Sequence, residues 1–159
     1  MTPEDLSSVQ EKIVAKRFDE ALRSLESILE TAPENPDALY MSAVCHRYQG
    51  DCEAALGMLE RLKSLHPEHG RAYQEEGHNY RDLGRADDAL RAYSRACRFN
   101  PALEASWRGQ LAILGSRGQH AQAAQVQAQL ERLGALPKPL LAVTDLIAQG
   151  RILKAEDIC

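Results

Sequence analysis

The chain has 159 residues and 44% apolar content, enough for one compact domain and too apolar for a disordered chain. Its 23 acidic against 19 basic side chains give a net charge of −4, which argues against a dedicated nucleic-acid binder. No apolar run approaches the ~18 residues that span a bilayer, and the start MTPEDLSSVQEK lacks the basic head and apolar core of a secretory leader. The expected location is therefore cytoplasmic. Cys45, Cys52, Cys97 and Cys159 form no C-x-x-C and are too few for a disulfide framework, so reduced thiols are expected.

In chain order, the first clear element is KRFDEALRSLESILETAP, from Lys16 to Pro33, a helix-forming run closed by proline. In ENPDALYMSAVCHRYQG, Asn35 can cap a second helix and Pro36 suits its first turn. GDCEAALGMLERLKSLHP then runs from glycine to proline, Gly50 to Pro67. In AYQEEGHNYRDLG, Tyr73, Gly77, Tyr80 and Gly84 share a helical face, and GRADDALRAYSRACRFNP follows from Gly84 to Pro101. Within that last run Ala89, Tyr93, Ala96 and Cys97 make one buried-type stripe.

These runs start 34 residues apart, at 16, 50 and 84. Alanine recurs in that register at Ala21, Ala55, Ala89 and Ala123, proline at Pro33, Pro67 and Pro101, and glycine at Gly50, Gly84 and Gly118. Glycine can take the left-handed turn that closes a helix, and alanine lets two helices approach closely. The repeating unit is two helices joined by tight turns, with no strand pattern. Such a period marks a helical solenoid whose units bury their apolar faces by stacking.

This pattern resembles the tetratricopeptide repeat. The third unit carries its marks at Tyr73, Gly77, Ala89, Ala96 and Pro101, and the fourth at Trp107, Ala123 and Leu130. The resemblance implies an all-α, right-handed α-solenoid of stacked antiparallel helix pairs, about ten helices in a single domain over residues 1–159. The repeats would cover 2–35, 36–69, 70–103 and 104–135, with a truncated fifth at 136–159. The fourth unit departs from the pattern, with Leu111 at the crossing position and Ala135 for the closing proline. The seventh position, usually leucine, holds Ser42, Glu76 and Gln110.

The segment LPKPLLAVTDLIAQGRILKAEDIC is similar to part of the repeat region that precedes the catalytic domain in some bacterial sulfotransferase-like proteins. Ile152, Leu153 and Ile158 are apolar where a solenoid would end in a polar cap, so the chain is expected to be the N-terminal piece of a longer protein. The same apolar end predicts self-association through the C-terminal repeat.

No G-x-x-x-x-G-K-[ST], H-E-x-x-H or G-x-S-x-G is present, so no catalytic residue, metal or cofactor is expected within the chain, and any enzyme activity would lie beyond residue 159. His66 and His69 are expected in a solvated inter-repeat turn, and His46 in the helix-packing stripe.

The resemblance also implies a concave groove lined by the first helix of each unit, at its second, fifth, ninth, twelfth and thirteenth positions. Carried over, these include Tyr40, Arg47 and Tyr48 in the second unit, Arg71, Gln74, His78 and Arg81 in the third, and Arg108 in the fourth. The strip holds Arg47, Arg71, Arg81 and Arg108 against Asp37 and Asp82, four against two, or +2. Arginine and tyrosine dominate interface energetics. The expected function is a protein-interaction module binding a peptide or partner domain of acidic character. The alternative is a regulatory or substrate-presenting segment of a sulfotransferase-like enzyme. Neither nucleic acid nor membrane is an expected partner.

Overall fold

The computed structural model describes residues 5–136. Among these are eight α-helices and no strand: α1 (Leu6–Val14), α2 (Phe18–Thr31), α3 (Pro36–Tyr48), α4 (Cys52–Leu65), α5 (Gly70–Asp82), α6 (Ala86–Phe99), α7 (Glu104–Ser116) and α8 (His120–Ala135). They make four helix pairs, eight helices rather than about ten. The helices expected of a fifth unit, and the apolar residues thought to drive self-association, lie outside the described residues.

The turns explain why the period is strict. At the end of α3, Gly50 has φ 80°. Its N–H donates to Arg47 O at 2.9 Å, and Asp51 N–H donates to His46 O at 2.9 Å. This pair of bonds satisfies carbonyls that the helix end leaves open. The same two bonds close α5 through Gly84 and Arg85, α7 through Gly118 and Gln119, and α1 through Lys16 and Arg17.

Helix starts are fixed by side chains. Asp5 Oδ1 accepts from Ser8 N–H at 2.8 Å, Asn35 Oδ1 from Ala38 N–H at 3.1 Å, and Asp51 Oδ1 from Ala54 N–H at 3.1 Å. Pro36 occupies the first turn of α3, where a missing N–H costs nothing. His69 was expected merely to be solvated. Its Nδ1 instead accepts from Ala72 N–H at 3.2 Å and caps α5.

The described residues fall into two compact units that divide after Pro67. In the first, Val9, Ala21, Leu25, Ala38 and Cys45 are fully buried, with Phe18, Ile28, Leu29 and Met41 packed against them. In the second, Tyr73, Ala96 and Leu103 form one apolar cluster with Phe99. Ala89, Tyr93 and Ile113 form another with Tyr80, Ala86 and Leu90. The register alanines Ala21, Ala55 and Ala89 have no exposed surface. Ala123 is only half-buried, so the fourth unit uses its register alanine less tightly.

The polar residues at the leucine-type seventh position are all buried: Ser42, Glu76 and Gln110. Gln110 shows how the core tolerates this. Its Nε2 donates to Cys97 Sγ at 3.2 Å and its Oε1 accepts from Ser94 Oγ at 3.2 Å. A buried amide costs little once both ends are bonded.

Candidate functional site

In the first unit the residues assigned to partner binding sit on α3. Tyr40 and Arg47 are half-buried and, seven residues apart, share a face of the helix. Tyr48 is 59% exposed, yet its ring stacks on Phe18 of α2 with centroids 5.1 Å apart and planes 3° from parallel. The Arg47 guanidinium carbon lies 4.6 Å from the Tyr48 ring centre. Tyr48 is thus committed to packing on one side, while the arginine above it adds a cation–π contact.

The second unit gathers the other five. Arg71, Gln74, His78 and Arg81 follow one another along a single face of α5, and Arg108 stands on the neighbouring α7. Their floor is held by hydrogen bonds. Ser106 Oγ of α7 donates to Gln74 Oε1 at 2.8 Å, tying the two first helices together. His78 Nδ1 lies 2.7 Å from the hydroxyl of Tyr93 on α6, which donates to it when that nitrogen is unprotonated. The two rings meet edge to face, with centroids 5.4 Å apart.

Above this floor stand the charges. Arg81 Nη2 lies 3.6 Å from Asp82 Oδ1, with the arginine side chain 51% exposed. Arg108 Nη2 lies 3.5 Å from Glu104 Oε2, with its side chain 69% exposed. Pairs this open and this long are worth ~0–1 kcal/mol, so a ligand carboxylate can displace them. Glu104 stands at the first position of its unit, outside the strip assigned from sequence. Counted with the strip residues Arg71, Arg81, Arg108 and Asp82, it gives three arginines against two carboxylates, or +1, and the buried Glu75 and Glu76 bring α5 and α7 as a whole to three against four, or −1.

Sequence reasoning did not find Ser106 or Tyr93 as supports of this surface. A serine at the third position of a unit carries no distinctive pattern, and Tyr93 read only as core. The signal for Tyr93 was its place fifteen residues after His78, one helix and one turn away, where two side chains of adjacent antiparallel helices can meet.

Comparison with known proteins agrees with this architecture. Residues 13–75 match the family model of the tetratricopeptide repeat. Human tetratricopeptide repeat protein 13 is 24% identical over 106 residues, which covers 64% of this chain but 12% of that protein. The chain thus spans only a small part of this relative. Among solved structures, a crystal structure of MamA superposes with a TM-score of 0.69 at 19% identity, covering 97% of this chain and 90% of that one. MamA residues 41 to the end from Desulfovibrio magneticus RS-1 give a TM-score of 0.70 at 17% identity, covering 80% of this chain and 72% of theirs. The first tetratricopeptide unit of Spaghetti (RPAP3), bound to the HSP90 peptide SRMEEVD, gives 0.65 at 16% identity, over 70% and 89%. The chain has the fold of these solved structures, and the family match covers residues 13–75.

Proposed function

We propose that the chain is a non-catalytic protein-interaction module of the tetratricopeptide-repeat family, and that it holds an acidic peptide or partner domain on the faces of its first helices. The observation that carries this reading is the α5–α7 surface. Exposed Arg81 and Arg108 project from a floor fixed by the Gln74–Ser106 and His78–Tyr93 bonds. A fixed floor reduces the ordering cost of binding, and the planar guanidinium matches a carboxylate with two parallel hydrogen bonds. A unit of similar fold holding the peptide SRMEEVD supports a peptide as the ligand. On α3, Tyr40 and Arg47 supply the same chemistry in the first unit.

An array of acidic, neutral and basic peptides of matched length tests this reading. Preferential capture of acidic sequences is expected. Equal capture of all three classes would overturn it.

The single-domain reading of residues 1–159, with a cytoplasmic location, belongs to the same proposal. One cooperative unfolding transition is its check. A narrower alternative, the substrate-presenting part of a sulfotransferase-like enzyme, rests on the sequence of residues 136–159. It is tested by whether the natural gene encodes a phosphate-cradling domain alongside these repeats. Among the described residues, no helix is long and apolar enough to cross a membrane.

A further inference from the structure

The second helices of the first and third repeats carry equivalent solvent stripes with opposite residual charge. On α2 the stripe is Asp19, Arg23, Glu26 and Glu30, all exposed, with exposed Glu34 just beyond the helix end. On α6 the corresponding stripe is Asp87, Arg91, Arg95 and Arg98, again all exposed.

Pairing within the chain occupies much of the minority sign. On α6, Asp87 Oδ1 holds Arg117 Nη1 at 2.7 Å, and Asp88 binds both Arg85, at 2.7 Å, and Arg91. Asp88 is held below the usual carboxylate range, first by the Arg91 hydrogen bond. Among the described residues the side chains of Arg95 and Arg98 have no hydrogen bond or ion pair. On α2, Asp19 accepts from Gln49 and Glu20 meets Arg17 at 3.4 Å. Among the described residues the side chains of Glu26, Glu30 and Glu34 have no partner, nor does that of Arg23.

We propose that these faces dock on each other between copies of this chain, with α6 of one copy lying antiparallel on α2 of the next. The order of the residues selects this direction. Antiparallel, Arg98 comes opposite Glu26, Arg95 opposite Glu30 and Arg91 towards Glu34, while Arg23 falls beyond the end of α6 at Phe99. Parallel docking would set Arg91 against Arg23. The four-residue step from Glu26 to Glu30 is ~6 Å and the three-residue step from Arg95 to Arg98 ~4.5 Å, a mismatch within the reach of a flexible arginine. The contact joins two different patches, so each copy keeps one free face and head-to-tail growth follows. Exposed ion pairs are individually weak, and salt screens them. Association is therefore expected at high protein concentration and low ionic strength.

Sedimentation velocity of the whole chain tests this, with circular dichroism checking that every variant is folded. Wild type should assemble at low salt and lose at least ~tenfold in association constant at high salt. The pair Arg95→Glu with Arg98→Glu should remain monomeric, as should the pair Glu26→Arg with Glu30→Arg. Mixing the two variants should restore assembly, because each then finds the opposite sign on the other. Three results would each overturn the proposal. One is a wild type that stays monomeric at high concentration and low salt, even if the Arg95–Arg98 face binds a foreign acidic peptide. Another is assembly indifferent to salt and to both variants, which would point to an apolar contact elsewhere. The third is a mixture that stays monomeric.

Discussion

The ring of Tyr93 lies against the bare backbone of Gly77, where an added Cβ would stand 2.6 Å from the ring's Cδ1 and Cε1. Gly109 meets the other edge of the ring, its notional Cβ 2.5 Å from Cε2. Tyr93 has no exposed surface and cannot swing away. Gly77→Ala and Gly109→Ala should each cost ~1–3 kcal/mol by overpacking, and Gly77→Leu more. Gly57, on the exposed side of α4 with nothing within 4 Å, is the control. Gly57→Ala should stabilise by ~0.5–1 kcal/mol, because glycine has more chain entropy to lose. Urea melts rank the four variants, and a harmless Gly77→Ala would contradict the packing described here.

Lys16 has φ 61° at the position where later repeats carry Gly50, Gly84 and Gly118 at 80°, 74° and 69°. An L-residue in this region is strained by roughly 1 kcal/mol, and the exposed lysine side chain gains nothing visible in return. Lys16→Gly should therefore raise stability by up to ~1 kcal/mol. Gly84→Ala should lower it by a similar amount. Thermal melts of the two variants should move in opposite directions.

The same residues show how far the sequence was legible. Four helix pairs could be read because the turn glycines, register alanines and closing prolines mark boundaries that backbone geometry imposes. Register alone marks the first of these turns at Lys16, since its left-handed backbone is not visible in its side-chain type. The groove positions came from the resemblance to the repeat family, and helical spacing then sets Arg71, Gln74, His78 and Arg81 on one face of α5. What they touch could not be read. The Gln74–Ser106 and His78–Tyr93 bonds join residues on different helices, and the partners depend on rotamers and crossing geometry. Charge counting over assigned positions also missed Glu104, which reaches Arg108 only because four residues make one helical turn.

Burial pushes the Cys45 thiol up from its ordinary value of 9.0 to about 11. It pushes Cys97 up to about 12, against a smaller opposing effect of the Gln110 hydrogen bond. A raised thiol pKa means that the unfolded chain loses its proton first as pH rises. The contribution to stability is whole below pH ~9 and declines as pH rises towards 11 and then 12. In a Cys159→Ser variant, the remaining thiols should alkylate slowly at mildly alkaline pH and rapidly in denaturant. Fast alkylation of Cys45 or Cys97 in the folded chain would contradict their burial.

The most direct test of the interaction-module reading is calorimetric titration of an acidic peptide selected from the array into wild type and Arg81→Ala, at low and high salt. Arg81 is half exposed and, among the described residues, its side chain pairs only with its neighbour Asp82, so its removal should leave the melting temperature unchanged. At low salt the substitution should weaken binding by ~tenfold or more, as loss of an interface arginine does. High salt should weaken wild type and narrow the gap between the two chains. Equal affinities in all four titrations would contradict the account and place the interface away from α5.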